Sequence, residues 1–140
     1  MKITVTDDLD ACMAIRIKVF VEEQKVPAEL EGDEHDADAV HLLATAADGR
    51  PIGTARLLID GDKAKIGRVA VLRAARGTGA GAALMRAALD ELRARGVRMA
   101  GLGAQTHAIG FYERLGFAAY GPEYDDAGIP HRDMTLDLQA

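Results

Sequence analysis

The sequence predicts an α/β (α+β) fold: a mixed central sheet of about six to seven strands with helices packed on it. Three observations carry this. Short apolar runs with strand character alternate with stretches of helical periodicity along all 140 residues. Turn signals at Asp48-Gly49 and at Asp60-Gly61-Asp62 join neighbouring strand candidates into hairpins. A glycine-rich stretch, Gly77–Gly81, stands between a strand candidate and the clearest helix.

Lys2–Val5 alternates as a short strand, and Thr6 or Asp7 is placed to cap a helix over Leu9–Val21. Pro27 and an acidic run mark a loop. Val40–Ala46, Pro51–Ile59 and Ala64–Leu72 read as three strands joined by the two turns. Gly79–Arg95 is a helix, with Leu84, Met85, Ala88, Leu89 and Leu92 on one face and Gly96 where a terminating glycine belongs. Val97–Gly103 is a buried-type strand, and Thr106–Leu115 a short helix stopped by Gly116. Phe117–Tyr120 and Arg132–Leu138 are a closing antiparallel pair. With no linker or repeat, residues 1–140 read as one domain.

The net charge of −5 argues against nucleic-acid binding. The single Cys12 excludes an internal disulfide and a multi-thiolate metal site. No apolar run approaches a membrane span and the N-terminus lacks the layout of a signal peptide, so a cytoplasmic protein is expected. His35, His41, His107 and His131 show no metal-ligand spacing, and no metal is expected. Charge is segregated. Glu22–Asp38 carries eight acids against Lys25, whereas Lys63–Leu89 carries only basic charge. Either run reads as a solvated surface; the sharper reading is an anion site in the second and a cation-attracting rim in the first.

Arg76-Gly77-Thr78-Gly79-Ala80-Gly81 suits a pyrophosphate. Glycines let the backbone turn its N–H groups toward a bulky anion, a helix N-terminus adds donors, and Arg73 and Arg76 add charge. A ligand-free glycine turn is the plain alternative. A Walker A loop is absent, since no Gly-Lys-Ser/Thr follows. The dinucleotide pattern G-x-G-x-x-A is matched by Gly77–Ala82, but the turn after Val71 is long and Val97–Gly103 offers no acid for a ribose. The third reading is coenzyme A.

Arg76-x-x-Gly79-x-Gly81 resembles the pyrophosphate motif of the GNAT acetyltransferases, and Phe111-Tyr112-Glu113-Arg114-Leu115-Gly116-Phe117 resembles that family's second signature. Arg16, Val19-Phe20, Glu23-Gln24, Pro27, Glu31, Asp33, Asp36 and Gly128–His131 are similar to its ElaA and YjcF-like group. The resemblance implies two splayed parallel strands forming a CoA cleft. Pantetheine would run along Val69, Ala70 and Val71, pyrophosphate would lie on the backbone of Gly77, Thr78, Gly79, Ala80 and Gly81, and Gln105 would hydrogen-bond the pantetheine. It implies acetyl-CoA as co-substrate, an amine acceptor, and direct attack on the thioester with Tyr112 as proton donor to the departing thiolate. Members often pair through sheet edges, so a homodimer is expected.

An alkyl amine of ordinary pKa is neutral in only about one molecule in 2,500 at pH 7, a cost of roughly 4–5 kcal/mol unless a base assists. Many family members place a glutamate on the strand before the glycine loop, but Lys65-Ile66-Gly67-Arg68 has no carboxylate. Glu23, Glu31 and His41 are the candidate replacements, and the acidic segment would attract a cationic amine. Two alternatives stand beside this reading. One is a non-catalytic acyl-CoA sensor. The other is an enzyme like the acyl-homoserine-lactone synthases, whose spacings Arg16-x-x-x-Phe20 and Asp33-x-x-Asp36 resemble, although this chain lacks their characteristic tryptophan.

Overall fold

The computed structural model describes residues 1–28 and 32–139. One mixed sheet contains seven strands: β1 (Lys2–Thr6), β2 (Val40–Thr45), β3 (Pro51–Asp60), β4 (Lys63–Val71), β5 (Met99–Gln105), β6 (Ala118–Asp126) and β7 (Ile129–Asp137). Their spatial order is β1-β2-β3-β4-β5-β7-β6, and only β4 and β5 run parallel. That pair is joined by a helical crossover, as a parallel connection requires. Helix α1 (Leu9–Arg16) packs on one face, with Cys12 and Ile15 against Leu43 and Ala70. Helix α2 (Ala80–Ala94) covers the other face, where Leu84, Met85, Ala88 and Leu92 meet Leu42, Leu57 and Ile66. The apolar stripe read from the sequence is the one that is buried.

Three elements differ from expectation. The first helix is α-helical only to Arg16 and continues as a π-helix over Ile17–Glu23, where Gln24 N–H bonds the Val19 carbonyl five residues back. The helix expected over Thr106–Leu115 is a 3-10 turn followed by α3 (Ile109–Glu113). The last two strands are longer than predicted. They form a hairpin whose two-residue turn, Ala127-Gly128, has φ of 53° and 83°.

Strand β4 carries a bulge. Its register with β3 steps from Thr54↔Ala70 to Arg56↔Gly67, so β4 has one extra residue there, and Arg68 takes φ of 50°. The extra residue reverses the side-chain alternation. Ala64 and Ile66 face the α2 core, whereas Ala70 beyond the bulge faces α1.

Packing beside the bulge is close at Gly53. A Cβ there would lie 2.8 Å from Leu84 Cδ1 and 3.2 Å from the Ala70 carbonyl oxygen. Leu84 is fully buried and has nowhere to move. Gly53→Ala is expected to cost about 1–3 kcal/mol through overpacking, read as a lower urea midpoint at unchanged slope.

Candidate active site

Strands β4 and β5 pair only from Lys63↔Met99 to Lys65↔Gly101. Beyond that point the bulge carries β4 away, and its edge from Ile66 to Val71 has no strand beside it. The gap opens into a cavity of about 730 Å³. Arg56, Lys65, Arg68 and Val69 form one wall, Gly103, Gln105, Tyr124 and His131 the other, and Phe20, Gln24 and Tyr112 close the ends. The second wall is open because β5 presents glycines to it. A Cβ on Gly103 would lie 2.5 Å from the Tyr124 hydroxyl, so only glycine lets that phenol lie against the strand.

At the glycine loop, Gly77 and Gly79 take φ of 78° and 85°, and neither faces an atom within 4 Å of an added Cβ. Glycine is needed here for conformation rather than space. Gly79 caps α2, so the first-turn N–H groups beginning at Ala80 point out of the helix end as donors. Arg76 lies beside them. Its guanidinium makes a bidentate pair with Glu23 at 2.8 and 2.9 Å, and its Nε donates to the Val71 carbonyl. Arg73 reaches the same carboxylate at 3.6 Å. The Arg76 hydrogen bond, opposed by some desolvation, holds the Glu23 carboxyl below the usual range. Glu23 is thus a partner of Arg76 beside the glycine loop and does not line the cavity.

Within the acidic segment, Asp33 and Asp36 are also paired with arginines. Arg16, fully buried on α1, donates to Asp36 at 2.8 and 3.3 Å. Arg56 donates to Asp36 at 3.0 Å and to Asp33 at 2.6 Å, and Arg68 reaches Asp33 at 3.5 Å. Asp33 also caps the short 3-10 turn Glu34–Ala37 in a capping box with Asp36. The rim therefore pulls on a cation less than its acid count implies. His41 is buried behind this network, its Nε2 donating to the Asp36 carbonyl at 2.9 Å, and it does not line the cavity. Glu31 lies outside the described residues.

Tyr112 projects from α3 into the cavity. Its ring is held edge-on by Phe111 at 5.0 Å and Phe117 at 6.1 Å, and its hydroxyl has no hydrogen-bond partner among the described residues. Burial raises its pKa above the ordinary phenolic value, so it stays protonated through the neutral range. Gln105 lies on the wall with its amide donating to Gln24 at 2.9 Å and accepting from His107 at 2.7 Å. Val69 lines the cavity while Ala70 is buried under α1.

Sequence reasoning gave Tyr124 no role and named His131 only as a histidine without metal-ligand spacing and within the Gly128–His131 resemblance. They sit opposite one another on β6 and β7 with rings stacked at 5.9 Å and 23°. The Tyr124 hydroxyl donates to Asp133 at 2.8 Å, and burial together with that carboxylate pushes its pKa up to about 12. Among the described residues no cluster of three or more His, Cys, Asp or Glu is placed to hold a metal, and no helix is long and apolar enough to cross a membrane.

The chain is similar to known proteins along nearly its whole length. It is 34% identical over 132 residues to YjcF of Bacillus subtilis, described as an uncharacterized N-acetyltransferase, with 94% of each chain covered. The fold matches the crystal structure of an acyl-CoA N-acyltransferase from Pseudomonas aeruginosa with a TM-score of 0.85 and 35% identity, over 96% of this chain and 99% of that one. Escherichia coli ElaA matches with a TM-score of 0.83 and 32% identity, over 96% and 93%. Residues 8–138 match the family described as the acetyltransferase (GNAT) domain. With a parted parallel pair, a glycine loop at the end of that gap and a match spanning both, the chain belongs to the GNAT acetyltransferase family.

Proposed function

We propose that the chain transfers an acetyl group from acetyl-CoA to a primary amine by direct attack on the thioester. The observation that carries this is the gap beside β4, whose unpaired edge runs toward the glycine loop and which opens into a cavity lined by Tyr112, whose hydroxyl has no hydrogen-bond partner among the described residues. Backbone N–H groups of Gly77–Gly81 hold the pyrophosphate. The open edge of Val69–Val71 pairs with the pantetheine amides, as an added strand would. The acceptor enters from the α1 face, and Tyr112 protonates the thiolate as the carbon–sulfur bond breaks. Coenzyme A supplies the activated acyl group; the chain positions it and manages protons. Glu23 and Asp33 are engaged by arginines, so we give them no part in taking the acceptor's proton.

The test is thiol release from acetyl-CoA with spermidine, lysine, kanamycin and a short peptide as acceptors, run beside calorimetry with CoA. Acceptor-dependent release supports the enzyme. Binding without release favours an acyl-CoA sensor, and absence of binding sinks the reading.

Glu23 gives a second handle on the phosphate site. Its carboxylate neutralises Arg76 and Arg73 at the loop where a polyanion is to bind. Glu23→Gln removes that competing charge, so the Kd for CoA should fall about two- to fivefold at low salt, and the gain should shrink as salt screens it. Calorimetry at two ionic strengths checks this.

A further inference from the structure

We propose that His131, through Nε2, is the base that takes the proton from the acceptor's ammonium group. The inference rests on the acetyltransferase reading above and adds to it the residue that solves the amine's proton problem.

His131 Nδ1 lies 2.7 Å from the Ile129 carbonyl oxygen, which can only accept a hydrogen bond. Nδ1 therefore carries the proton, and the lone pair falls on Nε2. Nε2 has no hydrogen-bond partner among the described residues, while the ring lies in the cavity wall. The ring is also fixed. It stacks on Tyr124, whose hydroxyl is tethered to Asp133 and lies against Gly103. Tyr124 remains a phenol through the neutral range and holds the ring in place without competing for the proton.

The other described titratable groups of the cavity serve less well. Asp33 is bound by Arg56 and Arg68. The His35 side chain is 60% exposed. Asp126 sits at the exposed hairpin end, and Lys65 is a cation. Tyr124 of β6 stacks on the His131 ring, Asp133 of β7 holds the Tyr124 hydroxyl, and the other charged or titratable groups lining the same cavity are Asp126 of β6, Asp33 and His35 of the acidic segment, Arg56 of β3, Lys65 and Arg68 of β4, and Tyr112 of α3. Carboxylates and cations are mixed among them, so no single sign surrounds the imidazole.

The protons balance as follows. The acceptor's ammonium nitrogen carries three. One passes to His131 Nε2, freeing the lone pair that forms the new carbon–nitrogen bond, and leaves from Nε2 to solvent. A second leaves the nitrogen as the tetrahedral adduct collapses, and replaces the proton that Tyr112 gives to the CoA thiolate. The third stays on the amide. The products are the N-acetyl amine, CoA thiol and one proton.

The experiment measures kcat/KM from about pH 5.5 to about pH 9 for the wild type and His131→Gln with spermidine, lysine, kanamycin and a short peptide. Glutamine keeps an N–H for the Ile129 carbonyl but has no basic nitrogen. We expect a loss of about 10²–10³-fold, disappearance of the acid limb of the profile, and an unchanged Kd for CoA. An active wild type with a variant of the same rate and profile overturns this proposal alone. A wild type that releases thiol with none of these acceptors overturns the enzyme reading and this proposal with it. A measurement independent of any variant is the nitrogen NMR of the wild-type imidazole. Unprotonated Nε2 beside protonated Nδ1 at pH about 8 supports the assignment, and the opposite tautomer overturns it.

Discussion

Tyr112→Phe should lower kcat about 10²–10³-fold while the Kd for CoA stays within about twofold of wild type. The substitution removes one oxygen and little else. The Tyr112 ring is held edge-on by Phe111 and Phe117, contacts that phenylalanine keeps, and among the described residues the hydroxyl has no partner whose loss would unsettle the fold. The deficit should therefore fall on the step in which charge develops on sulfur. Because an interaction made only in the transition state is lost, kcat and kcat/KM should drop together. Burial raises the pKa of this phenol. An acid must hold its proton to act, so a raised pKa extends the active range upward, and any alkaline limb due to Tyr112 lies above about pH 10. Stopped thiol-release assays with saturating acetyl-CoA, paired with calorimetry, check both halves. A loss under about threefold in kcat would remove Tyr112 from the chemistry.

Much of this architecture was written in local pattern. The α2 stripe, the Gly49 and Gly61 turns and the order of strands follow from periodicity and turn chemistry, which act over a few residues. The glycine loop was legible for the same reason, since two left-handed positions leave a mark that only glycine satisfies cheaply. What was hidden depends on distance in sequence. Arg16 and Asp36 are 20 residues apart, and Arg76 and Glu23 are 53 apart. Nothing in spacing reveals such pairs, so acids that serve as arginine partners read as a cation-attracting rim or a base. The β6–β7 hairpin extends past the predicted Tyr120 end, through Gly121-Pro122. The strand absorbs it as an irregularity between Tyr120 and Tyr124, with Gly121 at φ of 74°. The turn beyond uses Ala127-Gly128 where Asn-Gly is the usual signal. With the hairpin ending early, nothing placed Tyr124 and His131 opposite one another, although the sequence singles out His131. Gly103 was equally silent, because its reason is a phenol that arrives from two strands away.

Asp36→Ala should be the most destabilising single change in the acidic segment, at about 3–5 kcal/mol. The carboxylate bonds Arg16, which has no exposed surface, Arg56, which is 6% exposed, and the Asp33 backbone N–H. Alanine leaves Arg16 buried without this partner and leaves Arg56 with Asp33 alone on one side. Among the described residues Arg56 Nε already lacks a hydrogen bond, so the site has little reserve. For a chain of this size the loss corresponds to a Tm lower by about 10 °C or more. The pH dependence separates this from an ordinary cavity. Burial alone would raise the Asp36 pKa, but hydrogen bonds from Arg16, Asp33 and Arg56 outweigh it and hold the carboxyl well below the usual range. A carboxyl depressed in the folded state contributes fully above its unfolded value, near pH 4, and progressively less as pH falls below it. The wild type should therefore lose stability steeply below about pH 4, and the variant, having already lost that contribution, less steeply. Urea unfolding at pH 7 and at about pH 3 reads both slopes. Equal losses at the two pH values would mean that the carboxylate is not what holds the two arginines beneath the cavity wall.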